Sequence, residues 1–235
     1  MMYKFPHHNH VITLLSRFRR DLLSDISACF GGGTLLTLLY GEYRCSKDID
    51  FICPVGDGYR TLRSEIFEKQ YNALFTSTEG ISLPRDIKAD QYGVRFVAGI
   101  HDTWIKCEII AESRITLEPP TFHAGIPVPC LSLNDSFSEK LLANADRWGD
   151  RSVESRDLID LSVLRLQSPI PKNSIDKAET AYPVIKPLEK SIRMFQEDDT
   201  YRNSCFSSLQ ITEKEHIIHG IDLLASDIGL APLKK

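Results

Sequence analysis

Apolar side chains recur at Val11, Leu14, Leu15, Phe18, Leu22 and Ile26, a spacing that predicts an amphipathic helix from about Val11 to Phe30. Gly31-Gly32-Gly33 ends it, because consecutive glycines favour a turn, and a short helix then runs from Thr34 through Leu35, Leu36, Leu38, Leu39 and Tyr40 to a cap at Gly41. Ile49–Cys53 is short, β-branched and aromatic and is closed by Pro54, which predicts a buried strand. Tyr59 to Phe75 reads as a helix. Tyr92–Ala98 and Trp104–Ile110 are strand-like on either side of Gly99-Ile-His-Asp102, which predicts a hairpin. A proline-rich passage (Pro119, Pro120, Pro127, Pro129) leads to Ser132-Leu-Asn-Asp135, a capping-box-like start for a helix to about Arg147. Further helices follow over Ser155 to about Leu166 and, beyond Pro171, to the last one at Glu213–Ile228. Elements are mixed through residue 130 and helical afterwards. The expectation is an α+β fold, with a mixed-sheet domain over 1–130 and a helical domain over 131–235.

Bulk properties narrow the class only a little. The 235 residues are 42% hydrophobic and 26% charged, enough to bury a core and unlike a disordered chain. A net charge of -4 gives no global pull toward nucleic acid, so a nucleic-acid substrate would need a local basic patch. The six cysteines (Cys29, Cys45, Cys53, Cys107, Cys130, Cys205) form no CxxC pair or zinc-like spacing and read as reduced, mostly core thiols. The start, MMYKFPHHNH, lacks the apolar stretch of a signal peptide, and no 18-residue apolar run occurs. A soluble, cytoplasmic protein with no membrane partner is expected.

The chemically informative segment runs from Gly31 to Phe51. Asp48 and Asp50, at i and i+2 on a strand, point to one face roughly 6–7 Å apart, within reach of a pair of divalent cations. Two acids there would be costly without a cation. The glycine turn opening a helix offers free N–H groups and a positive dipole end to phosphate, and Arg44, Ser46 and Lys47 add to that chemistry. A DxD alone is most often a solvated strand end and a GGG alone a helix stop. Together, at this spacing, they favour catalysis.

The run Phe30-GGGTLLTLLYGEYRCSKDID-Phe51 resembles the glycine-turn and R-x-S-x-D-I-D-F signature of the AbiEii/AbiGii-type nucleotidyltransferase toxins, within the DNA polymerase β-like nucleotidyltransferase superfamily. A second block, Ile126-Pro-Val-Pro129 through Ser138-Glu-Lys140-Leu-Leu-Ala143 and Arg156-Asp157-Leu-Ile-Asp160-Leu161, resembles a later region of the same family. The likeness spans roughly residues 28–165. It departs in the triple glycine, in a Glu where the third acid is commonly Asp, and in a final seventy residues without a placeable motif.

The resemblance implies a minimal nucleotidyltransferase-type sheet domain followed by a helical domain contributing to the active-site cleft. It implies two-metal nucleotidyl transfer from an NTP to an acceptor hydroxyl, with Mg2+ or Mn2+ on Asp48, Asp50 and a third acid, Glu108. On the residues alone Glu108 suits a surface Lys–Glu pair with Lys106 equally well. Gly31, Gly32, Gly33, Thr34, Arg44 and Ser46 would cradle phosphate. Lys140, Arg156 and Asp157 are carried over to the cleft, Lys140 to neutralise the triphosphate and Asp157 to orient Lys140 or the attacking hydroxyl. Asp160, one helical turn on, reads better as a supporting or solvated acid. The family further implies a toxin acting on tRNA or other RNA, held in check by a cognate antitoxin. Ser46 is a sensitive place for an inhibitory phosphate. Alternatives are transfer to a small molecule or protein side chain, or a catalytically silent interaction module of the same fold.

Other features carry less. His216 and His219 have no evident third metal ligand. His7, His8 and His10 read as a mobile terminus, and Arg17, Arg19 and Arg20 as a solvated helix face.

Overall fold

The computed structural model describes residues 2–232. The chain divides into two compact units: one holds the chain up to Leu38 together with Ser46–Ser132, the other Leu39–Cys45 and the chain from Leu133 onward.

The first unit is built on a mixed sheet. Strands β1 (Cys29–Gly31), β2 (Ile49–Pro54), β3 (Ile81–Ser82), β4 (Lys88–Ala89), β5 (Gly93–Ile100) and β6 (Thr103–Glu112) take the order β1-β2-β6-β5-β3, with β4 also on β5. Only β2 and β6 run parallel; the other pairs are antiparallel. The expected hairpin is β5–β6, closed with Ile100 opposite Thr103, and His101 takes the positive φ (52°) that so tight a turn needs. Period-two alternation sorts the faces. Ile49, Phe51, Phe96, Ile105, Cys107 and Ile109 are buried on one side, where Phe18, Phe30, Phe51, Phe75 and Phe96 form a contiguous aromatic cluster. Asp50, Arg95, Lys106 and Glu108 fall on the other.

The N-terminal region departs from expectation. Instead of one helix to Phe30 there are α1 (Pro6–Leu15) and α2 (Arg20–Asp25), and Ser27 breaks the path with a φ of 55°. The continuous apolar run Ala28-Cys29-Phe30 is then spent on β1, an ambiguity that short buried segments always carry. His7, His8 and His10 are likewise not a mobile end. They lie in α1, and His8 is wholly buried. α3 (Gly32–Leu39) follows β1 directly and is apolar nearly all round, as its burial requires. The helix expected over Tyr59–Phe75 is split into α4 (Asp57–Lys69) and α5 (Tyr71–Leu74) at Gln70, which has a φ of 51°.

The second unit is helical: α6 (Leu133–Arg147), α7 (Arg156–Gln167), α8 (Lys172–Glu179), α9 (Ile185–Glu197), α10 (Asp199–Ser208) and α11 (Lys214–Asp227). α7 is its centre, with eight successive residues from Asp157 to Leu164 buried. α11 approaches α7 closely at Gly220, where a Cβ would stand 2.5 Å from the Ser162 carbonyl oxygen. All six cysteines are outside disulfides; five are buried, and burial pushes Cys53 and Cys130 up to about 12, so these two thiols stay protonated and inert. Among the described residues no helix is long and apolar enough to cross a membrane.

Candidate active site

In the first unit the acids are assembled by strand register. Asp50 lies opposite Gly31 on β1 and opposite Glu108 on β6, and Glu108 lies opposite Arg95 on β5, which faces Lys88 on β4. One lateral row therefore reads Gly31, Asp50, Glu108, Arg95, Lys88. Asp48 sits just before β2 and, with the register carried back one residue from Ile49 opposite Cys107, comes abreast of Lys106. On the buried face behind them the Cys107 thiol is held well above its ordinary range by burial, with the charges of Asp50, Asp48 and Glu108 adding. Register thus brings Asp48, Asp50 and Glu108 to neighbouring positions of one short piece of sheet.

Gly32 is what allows Asp50 to sit against the turn, and Gly31 makes room for Leu131. Gly32 has a φ of +69°, and a Cβ there would stand 2.8 Å from Asp50 Oδ2; at Gly31 a Cβ would stand 2.6 Å from Leu131 Cδ1. No side chain fits at either without displacing its neighbour. Gly33 is inside α3 and buried.

Thr34 and His8 hold the approach to β2. Thr34 Oγ1, buried, is 2.8 Å from Ser46 Oγ and donates to the Asp48 carbonyl at 2.6 Å. His8 Nε2 lies 3.0 Å from the Ser46 carbonyl oxygen and 3.2 Å from its amide nitrogen, and His7 Nε2 lies 2.8 Å from the Lys47 carbonyl oxygen. Burial lowers the His7 pKa, so its ring stays neutral at physiological pH. Thr34 as placed serves the acid-bearing loop rather than a phosphate.

The oxygen-only donor set suits a hard divalent cation. Asp48 and Asp50 fit that role by chemistry and position. Glu108 as it stands is paired with Lys106 and, at 3.4 Å, with Arg95. Among the described residues no three His, Cys, Asp or Glu side chains converge as a ready-made metal cage.

The second unit holds the other expected residues in a buried charge network. Asp160, fully buried, accepts from Arg44 Nε (2.7 Å) and Nη2 (2.9 Å) and from Tyr43 OH (2.7 Å), and Lys140 Nζ stands 2.6 Å from its second oxygen. Lys140 also donates to Asp157 at 3.0 Å, and Arg147 grips Asp157 through Nε (2.6 Å) and Nη2 (3.0 Å). Burial opposes ionisation of Asp157, yet the Lys140 and Arg147 charges hold its carboxyl well below the usual range; burial likewise opposes Asp160, which Arg44 and Lys140 hold down. Burial works against the Lys140 ammonium too, and the two aspartates outweigh it, so its pKa is raised.

Arg44, although four residues before Asp48 in sequence, is therefore committed to Asp160 in the second unit instead of standing free for phosphate. Asp160 is neither solvated nor peripheral. Arg156 is half-buried and forms no ion pair among the described residues. Tyr43, Arg95, Arg147 and His8 were not singled out from sequence. Arg95 had a usable signal, since a turn closing Ile100 on Thr103 forces Arg95 opposite Glu108. The others act through residues distant in sequence and had none.

The mixed sheet thus sets a glycine turn beside Asp50, with Asp48 just before the same strand and Glu108 on the neighbouring one. The family model for the nucleotidyl transferase AbiEii toxin of type IV toxin–antitoxin systems matches residues 13–199, and the chain belongs to that family; it is a nucleotidyltransferase. Two crystal structures from Helicobacter pylori share its fold: a candidate nucleotidyltransferase, 19% identical over 97% of this chain and 96% of that one, and the protein JHP933, 19% identical over 97% and 94%, each with a TM-score of 0.53. Among curated proteins none matches the sequence.

Proposed function

We propose that the enzyme transfers a nucleoside monophosphate from an NTP to an acceptor hydroxyl of tRNA or another RNA. The observation that carries this reading is the lateral row in which Asp50 stands between the glycine turn and Glu108. Asp48 and Asp50 would hold a divalent ion, Mg2+ or Mn2+, with Glu108 completing the set. When bound, such an ion offsets triphosphate charge and lowers the pKa of the acceptor hydroxyl. Glu108 accepts that hydroxyl's proton, the acceptor oxygen bonds to the α-phosphorus, and the bond to the β-phosphate oxygen breaks to release pyrophosphate. The N–H groups at the start of α3 and the Ser46 hydroxyl face the phosphates. Within the second unit, Lys140 and Asp157 fix the helix that carries Arg156.

The family supports a toxin role with a cognate antitoxin as partner; on this reading the enzyme acts in the cytoplasm. Incubation with each labelled NTP, Mg2+ and total tRNA, against an Asp48→Ala/Asp50→Ala control, tests the reading. Label in RNA that vanishes in the control is the expected result. Binding of an NTP with label in no RNA would move the acceptor to a small molecule or a protein side chain. The absence of both binding and transfer would overturn the proposed reaction.

A further inference from the structure

The solvent face of β6 carries more than the acids. Successive outward positions are Trp104, Lys106, Glu108 and Ile110, and Trp104 is 56% exposed, although a tryptophan so placed leaves a large apolar surface in water. Its seat is defined. Trp104 pairs with Gly99 on β5, and a Cβ at Gly99 would stand 2.8 Å from Trp104 Cζ3, 3.0 Å from Cε3 and 3.1 Å from Ser82 Cβ on β3. The benzo edge of the indole thus lies over a glycine that leaves room for it, and the rest of the ring is open. Covering Gly99 accounts for the seated edge only, since a leucine would serve as well. The open surface requires another explanation.

Position supplies one. Two residues along β6 from Trp104 is Lys106, abreast of Asp48, and Glu108 is roughly 13 Å away at ~3.3 Å per residue. A ligand whose phosphates or hydroxyl reach the acids would lay its next group along this strand, past the Lys106 ammonium, onto the indole. Lys106 is the cation on that path, about half exposed and now paired with Glu108; Arg95 stands beside Glu108 on β5, paired with Asp90 as well. An open aromatic surface beyond a cation is the arrangement that stacks a nucleobase while the cation meets its phosphate.

We infer that Trp104, with Lys106, forms a nucleobase-stacking subsite on the acid-bearing face of the sheet, filled by a base of the NTP or of the acceptor RNA. The inference rests on the proposed nucleotidyl transfer for its ligand class. The chain has two tryptophans, so Trp148→Phe leaves Trp104 as the sole indole reporter. In that background, with Asp48 and Asp50 retained, Trp104 fluorescence is titrated with the α,β-methylene analogue of each NTP, which cannot be cleaved between the α- and β-phosphates, and with a mixed-sequence single-stranded RNA and inorganic tripolyphosphate. Saturable quenching by an NTP or by the RNA, and none by tripolyphosphate, is expected, and the ligand that quenches identifies the source of the base.

Calorimetry then compares variants. Trp104→Leu, which keeps Gly99 covered, weakens that ligand five- to 150-fold, about 1–3 kcal/mol at 1.4 kcal/mol per tenfold, and Trp104→Phe restores most of it. Transfer activity without quenching, or Trp104→Leu binding each ligand as tightly as the parent, would overturn the subsite alone. Quenching without transfer to any RNA would leave the subsite standing and sink the RNA-acceptor reading.

Discussion

Replacing Asp160 by Asn tests whether the second unit is held by its buried charges. The side-chain volume hardly changes, so the effect is electrostatic. Asp160 is 0% and Arg44 4% exposed, and the carboxylate accepts four bonds, two at each oxygen. Asparagine keeps one acceptor and turns an NH2 group toward donors. The bonds from Arg44 Nη2 and Lys140 Nζ are then lost, at ~1.5–3 kcal/mol for each bond to a charged group, or ~3–6 kcal/mol in all. That agrees with the ~3–5 kcal/mol typical of breaking one partner from a buried ion pair. Lys140 keeps the charged Asp157 as a partner, whereas Arg44 keeps only neutral acceptors, the retained Oδ1 through its Nε and the Cys45 carbonyl at 3.0 Å, so most of the cost falls on Arg44. Urea denaturation followed by far-UV circular dichroism measures it. Asp160→Leu combined with Arg44→Met, which removes both charges, is expected to recover at least half of the loss. A single Asp160→Asn variant within ~1 kcal/mol of the wild type would refute the reasoning.

Three further outcomes follow from the same geometry. Asp157 and Asp160 have folded-state pKa values depressed below the ordinary ~3.9, so their contribution is fully present above that value and is lost as pH falls through the folded values; denaturant midpoints should be flat from pH 7 to 5 and fall below about pH 4, and a midpoint that rises on acidification contradicts this. Gly32→Ala, at a φ of +69° and with its Cβ 2.8 Å from Asp50 Oδ2, should cost ~1–2 kcal/mol in strain and reduce nucleotidyl transfer at least tenfold; Gly41→Ala, at φ +81° with nothing within 4 Å, should cost a similar strain and leave the transfer rate within twofold. Thr34→Val deletes the bonds to Ser46 Oγ and the Asp48 carbonyl, and should lower stability by ~1–3 kcal/mol and kcat more than KM for the NTP, a split that steady-state kinetics reads directly.

Local pattern was enough for much of this protein. The DxD strand, the glycine turn, the β5–β6 hairpin and the helices of the second unit all follow from spacing and composition, because alternation over a strand and a 3.6-residue period over a helix are consequences of burying one face. The two blocks that resemble the AbiEii family are contiguous in sequence and were legible for that reason. Burial and pairing were not. Ala28-Cys29-Phe30 is as good a helix end as a strand, and only the availability of β2 as a partner makes it β1. Glu108 suited a surface Lys–Glu pair and an active-site acid equally, and register sets it opposite Asp50 while Lys106 and Arg95 still pair with it. Arg44 offered itself to phosphate by proximity to Asp48, but a guanidinium taken out of water goes to the carboxylate that can neutralise it, and Asp160 is 116 residues away. A sequence determines which faces are apolar and which turns are sharp. Which charges meet depends on desolvation and long-range pairing, and those are decided only when the chain has folded.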